Sequence, residues 1–142
     1  MLDQVIEFSF NHPFLVIAFA VLLVLVFLNE MKIATQRFAT LTPAGAVQLM
    51  NTEDVVVVDV REPSETAGGK IAKAIQIPVG AIKKRIGELE KHKNKTLLVY
   101  CKTGARSGAA CKELSQAGFE KVYSLNGGML AWQDAHLPTS KK

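Results

Sequence analysis

The pattern of hydrophobic positions divides the chain into two pieces. Phe14 to Leu28 is an unbroken run of fifteen apolar residues, and no charged residue occurs among the 22 positions between Glu7 and Glu30. With Asn11 as N-cap and Pro13 in the first turn, where its missing N–H costs nothing, the pattern predicts a helix over about residues 13–33, ~30 Å long. That length crosses the hydrocarbon core of a bilayer. A core helix of a soluble protein shows polar residues at helical spacing, which this run lacks. A cleaved signal peptide opens with Lys or Arg and ends on a small-x-small pattern; here the opening carries Asp3 and Glu7, and the exit reads Asn29-Glu30-Met31-Lys32. The segment is therefore read as a retained, single-pass membrane anchor.

Beyond it the pattern alternates between short apolar runs and helical periodicity. Thr42 and Pro43 read as N-cap and first-turn proline of a helix through Met50, stopped at Asn51. Val55 to Val60 and Thr96 to Tyr100 read as strands buried on both faces, the kind found inside a parallel sheet. Shorter strands are expected at Ala74 to Ile77 and Val122 to Leu125. Ile82, Ile86 and Leu89 recur at helical spacing and predict an amphipathic helix over Gly80 to Lys91. Arg106 to Gln116, stopped near Gly118, and Met129 to Ala135, ended by Pro138, complete the helices. Strands alternating with helices define an α/β fold, a parallel sheet flanked by helices on both faces and preceded by one transmembrane helix. The expected organisation is residues 1–33 as the membrane segment, 34–40 as a tether, 41–138 as the domain and 139–142 as a tail.

Composition changes this picture only at the edges. With 142 residues there is room for one domain and a short appendage. From Phe38 onward 15 Lys and Arg stand against 10 Asp and Glu, a mild basic bias. The lysines are scattered and not interleaved with aromatic residues, so no nucleic-acid partner is expected. Lys32 and Arg37 follow the apolar run and no basic residue precedes it, which orients the domain toward the cytoplasm and places the protein in the cytoplasmic (inner) membrane. The two cysteines, Cys101 and Cys111, are ten residues apart, too far for a bridge along one helix, and no zinc-ligand spacing accompanies them.

Candidate chemistry concentrates in Cys101-Lys102-Thr103-Gly104-Ala105-Arg106-Ser107, which joins the second long strand to a helix N-terminus. Parallel sheets place ligands at the carboxyl ends of their strands, and Cys101 falls at such an end. The peptide N–H groups of a tight strand-to-helix loop converge into an anion cradle, and Lys102 and Arg106 add positive field. A cysteine there has a lowered pKa and is held largely as thiolate. Gly104 supplies the position without a Cβ that such a close approach requires.

Three motifs give this chain a family likeness. Asp59-Val60-Arg61-Glu62 with Glu65, Gly69, Ile71 and Ala74, the loop from Cys101 to Arg106, and Leu125-Asn126-Gly127-Gly128-Met129 with Ala131-Trp132 together resemble the signatures of a rhodanese homology domain. The likeness extends from about Leu41 to Pro138. It implies that Cys101 thiolate takes the outer sulfur of a donor such as thiosulfate, carries it as a persulfide, and gives it to a thiol or cyanide acceptor in a ping-pong cycle. In that scheme Cys101 is catalytic, Lys102 and Arg106 hold the small anionic donor, and backbone groups of Lys102, Thr103, Gly104, Ala105 and Arg106 bind substrate; no metal or organic cofactor is implied. The chain departs from the usual first signature at Lys70, where His is common, and at Ala72 and Lys73, where Pro and Gly are common, changes expected to alter a turn. Cysteine phosphatases place five residues between Cys and Arg, whereas four intervene here. The competing functional class is a non-catalytic interaction module docking on a membrane-protein partner; the intact loop argues against it.

Other reactive side chains carry structural expectations. Asp59 is expected to cap a turn and Arg61 to form an ion pair. Trp132 is read as core, and Cys111 as a buried small hydrophobe rather than a redox partner. His12, His92 and His136 lie far from Cys101 in sequence, so no Cys-His dyad is expected.

Overall fold

The computed structural model describes residues 1–34, 38–71 and 73–141. They divide into two compact units, one within Met1–Gln36 and one within Arg37–Lys142.

In the first unit α1 (Leu2–Asn11) precedes α2 (Pro13–Ala34). Asn11 is not the N-cap expected from sequence, because it closes α1. The carbonyl of His12 instead accepts from the N–H groups of Leu15 and Val16, at 3.1 and 3.2 Å. Pro13 opens α2, where its lack of an N–H is harmless. Within α2 the 19 residues Pro13–Met31 have a mean hydropathy of 2.6, making this one helix long and apolar enough to cross a membrane.

The second unit is built on a five-stranded, all-parallel sheet. Its elements in chain order are β1 (Ala39–Leu41), α3 (Pro43–Thr52), β2 (Val55–Asp59), α4 (Pro63–Thr66), β3 (Ile75–Gln76), α5 (Ile82–Arg85), β4 (Thr96–Tyr100), α6 (Ala105–Gln116), β5 (Val122–Leu125) and α7 (Gly128–Asp134). The strand order is β1-β5-β4-β2-β3. β4 lies at the centre and all five of its residues are buried, which explains why Thr96 to Tyr100 contains no alternating polar position. Its side chains alternate between two cores. Leu97 and Val99, with Cys101 just beyond the strand, pack with Ala110, Cys111 and Leu114 of α6. Leu98 and Tyr100 pack with Ala46, Met129 and Trp132 on the opposite face. Burying both faces of the sheet is the main source of stability, at ~25 cal/mol per Å² of apolar surface removed from water.

The local signals behave as their chemistry requires. Thr42 Oγ1 accepts from the N–H of Gly45 at 3.2 Å, and Pro43 starts α3. α6 ends where Gly118, at φ +95°, turns the chain so that Phe119 N–H reaches the carbonyl of Leu114 at 3.2 Å.

Several expectations are corrected. The helix expected over Gly80 to Lys91 is an α-turn at Ile82–Arg85 between 3₁₀ segments at Val79–Ala81 and Ile86–His92. Gly87 interrupts a run of otherwise good helix formers, and the tighter winding still buries Ile82 and Leu89. Residues 39 and 40 of the expected tether belong to β1, while residues 35–37 lie outside the described residues. In the expected tail, Ser140 forms an antiparallel bridge with Lys70, N–H to O at 2.8 and 2.7 Å. Of the departures from the family signature, Ala72 lies outside the described residues, and Lys73 adopts φ +61°, a left-handed conformation that Gly occupies without a Cβ penalty.

Candidate active site

Cys101 follows the last residue of β4, and the chain turns directly into α6. Gly104 makes that turn possible: its φ is +101°, its own N–H donates to Cys101 Sγ at 3.0 Å, and it serves as the N-cap of α6. Ser107, fully buried, locks the same turn through its hydroxyl, which donates to the Gly104 carbonyl at 2.9 Å and meets Ser124 Oγ of β5 at 2.8 Å. Burial pushes the Cys101 thiol up, but the N–H groups of Ser107, Gly104, Thr103 and Arg106 outweigh it and draw the pKa below the ordinary thiol value. This is the anion cradle expected of a strand-to-helix loop, formed by main-chain donors.

The loop is held from behind by the Gly127-Gly128 turn. Met129 N–H donates to the carbonyl of Cys101 at 2.8 Å, and Leu130 N–H to that of Lys102 at 3.1 Å. These bonds turn the first two loop carbonyls away from the sulfur and leave the N–H groups facing it. Gly128, at φ +56°, has no room for a side chain, because a Cβ would run into the backbone of Cys101 and Lys102.

The structure brings together most of the residues singled out from sequence. Lys102 and Thr103 are exposed on the outer side of the loop, and Ala105 begins α6. Arg106 differs from expectation in its partner. Its guanidinium makes a two-pronged ion pair with Glu65 of α4, Nη1 to Oε2 at 2.6 Å and Nη2 to Oε1 at 2.7 Å. Glu65 was part of the first signature but had no assigned role. Its Oε2 also accepts from Glu62 N–H at 2.9 Å, the reciprocal half of a capping box that the Glu-x-x-Glu spacing signals. Arg106 and that N–H hold the Glu65 carboxyl down at about 2.

Asp59 and Arg61 lie beneath this site. Arg61 Nη2 meets Asp59 Oδ2 at 2.7 Å, with both residues buried. Nε also donates to Asp59 Oδ1 at 3.0 Å, and Nη1 and Nη2 reach the carbonyls of Glu65 at 3.0 Å and Gly69 at 2.8 Å. Tyr100 donates from its hydroxyl to Asp59 Oδ2 at 2.6 Å and accepts from Ile71 N–H at 3.1 Å. Asp59 Oδ1 caps the turn by accepting from Arg61 N–H at 3.0 Å. Both residues are therefore structural, and through Glu65 they fix α4 against the loop. Cys111 is fully buried on α6, and burial pushes its thiol up to about 12.

Comparison with known proteins agrees with this geometry. The chain is 36% identical over 138 residues to the uncharacterized protein YibN of Escherichia coli (strain K12), covering 96% of each. It is 43% identical over 91 residues to a protein of Allochromatium vinosum named sulfurtransferase, covering 64% of this chain and 83% of that one. A crystal structure of a rhodanese-related protein from Thermoplasma volcanium superposes with a TM-score of 0.67 at 31% identity, covering 73% of this chain and 99% of that one. The family model of the rhodanese-like domain matches residues 42–135, and on that match, with the parallel sheet and the cysteine loop between β4 and α6, the chain belongs to the rhodanese-like family.

Proposed function

We propose that this protein is a membrane-anchored sulfurtransferase that carries sulfane sulfur as a persulfide on Cys101. The observation that carries the reading is the sulfur of Cys101 facing main-chain N–H groups, with Gly104 at 3.0 Å. The thiolate attacks the outer sulfur of a donor, the donor's S–S bond breaks, and its remainder leaves with the electron pair. For thiosulfate the leaving group is sulfite. The terminal sulfur of the new persulfide remains in the cradle until a thiol or cyanide acceptor attacks it and regenerates the Cys101 thiolate. The same N–H groups stabilise both anionic forms and need no reorganisation between half-reactions. Lys102 is exposed on the loop where the donor enters, while Arg106 is paired with Glu65. No general base is assigned, because the main-chain N–H groups draw the thiol below its ordinary value and so favour the thiolate.

The proposed site of action is the cytoplasmic face of the cell's inner membrane, with residues 13–33 spanning it once. Lys32 and Arg37 at the end of the apolar run support this orientation. An impermeant maleimide is expected to label Cys101 in inverted membrane vesicles and to spare it in intact spheroplasts; the reverse pattern would place the domain on the other side.

The chemistry is tested by intact-mass analysis of the purified protein after exposure to thiosulfate or a glutathione persulfide. One sulfur atom is expected to be added, lost again on addition of cyanide or thiol, and absent in Cys101→Ser. A wild-type protein that takes sulfur from neither donor would instead favour the docking-module class.

A further inference from the structure

The charge balance around Cys101 has a consequence for the donor. Two cations belong to the loop, Lys102 and Arg106, but Arg106 is paired on two prongs with Glu65. The same carboxylate feels the charge of Lys102, and Glu62 lies within electrostatic reach of Arg106. Glu65 is no freely swinging surface residue. Its Oε2 is held by Glu62 N–H, and its carbonyl accepts from the buried guanidinium of Arg61 at 3.0 Å. Two carboxylates thus oppose two cations, and little net positive side-chain charge remains to receive a donor.

We infer that Glu65 is a specificity-determining positioning residue that tunes the site toward low-charge persulfide donors and against the thiosulfate dianion. This rests on the sulfurtransferase reading above. Attack by Cys101 thiolate on thiosulfate gathers three negative charges at the reacting atoms, released as a Cys101 persulfide anion and sulfite dianion. Attack on a protonated alkyl persulfide gathers one, released as a Cys101 persulfide, which keeps the proton, and an alkyl thiolate. Main-chain N–H groups face the reacting sulfur in both reactions. The difference falls on fixed side-chain charge, where the Glu65 carboxylate, held against Arg106 of the loop at 2.6 and 2.7 Å, opposes the dianion most.

The test measures second-order constants for sulfur loading of Cys101 from thiosulfate and from glutathione persulfide, using the full chain in detergent. Each is divided by the rate at which the same donor sulfurates a free thiol, which removes the donors' intrinsic reactivity. The wild type is expected to favour the persulfide by ~10-fold or more on this normalised scale. Glu65→Gln is expected to raise thiosulfate loading by ~10-fold with a much smaller change for the persulfide, and to make thiosulfate loading steeply salt-dependent. Glu65→Asp, which keeps the charge, should keep the preference. Equal normalised rates in the wild type would overturn the inference, as would Glu65→Gln slowing both donors alike, the signature of a purely structural role. Should Glu65→Gln not fold, the wild-type ratio decides alone. Loading by neither donor would reject the sulfurtransferase reading itself, an outcome distinct from loading without preference.

Discussion

Gly128→Ala is expected to lower sulfur loading of Cys101 by ~100-fold or more, since a displacement of about an ångström in a catalytic group costs that much. The added methyl would run into the carbonyl oxygen of Cys101 and lie 2.8 Å from both the carbonyl carbon and oxygen of Lys102. All three are backbone atoms at the start of the catalytic loop, so relief requires the loop to move. An alanine also pays ~1–2 kcal/mol to hold a left-handed conformation. As the loop shifts, Met129 and Leu130 release the two carbonyls they restrain, and the N–H groups lose their aim at Sγ. The pH at which Cys101 becomes alkylated by iodoacetamide should therefore rise toward the ordinary thiol range. Gly127→Ala is the control. Its methyl would meet the side chain of Ala131 within α7 at 2.6 Å, so it should lower the melting temperature while moving the alkylation profile much less. Equal loss of loading in both variants would mean that the turn matters only for folding.

Much of this site was legible in the sequence because its strongest determinants are local. Val55 to Asp59 and Thr96 to Tyr100 are apolar runs with no helical polar spacing, and a cysteine directly after such a strand lies at the sheet's carboxyl edge. Thr42-Pro43 and Gly118 punctuate helices by rules acting over three or four residues. Pairings across the fold were not legible. Glu65 and Arg106, like Asp59 and Tyr100, stand 41 residues apart, and nothing in the local pattern joins them. β1 has three residues, too few for alternation to register, and exists because it pairs with β5 through Ala39, Thr40 and Leu41. The broken helix around Gly87 misleads in the opposite way: apolar spacing announced a continuous helix, but glycine and the geometry of the core selected 3₁₀ winding. Two pairings that the sequence did not show, the distal one of Glu65 with Arg106 and the local one of Arg61 with the Glu65 carbonyl, are the ones that bear on donor choice.

Arg61→Ala is expected to cost ~3–5 kcal/mol in folding stability, because removing one member of a buried ion pair strands the other. Asp59 is fully buried and Arg61 is 4% exposed, so water cannot replace the lost partner. Tyr100 would remain as a neutral donor to the carboxylate, and burial together with the Asp59 charge already pushes the Tyr100 hydroxyl well above its ordinary pKa, keeping it protonated. A phenol compensates a buried carboxylate less well than a guanidinium does. The carbonyls of Glu65 and Gly69 would lose their donor at the same time. The Arg85–Glu88 pair provides the contrast: its geometry is equally good at 2.7 Å, but its side chains are 41% and 49% exposed. Arg85→Ala should therefore cost less than ~1 kcal/mol. Thermal unfolding of the full chain in detergent measures both variants. A loss for Arg61→Ala no larger than that for Arg85→Ala would show that the buried network does not anchor the fold. The expected result also ties stability to chemistry, since the side chain that neutralises Asp59 holds the α4 carbonyl beside the Glu65 carboxylate, and loosening it should weaken the preference among sulfur donors before it affects the thiol.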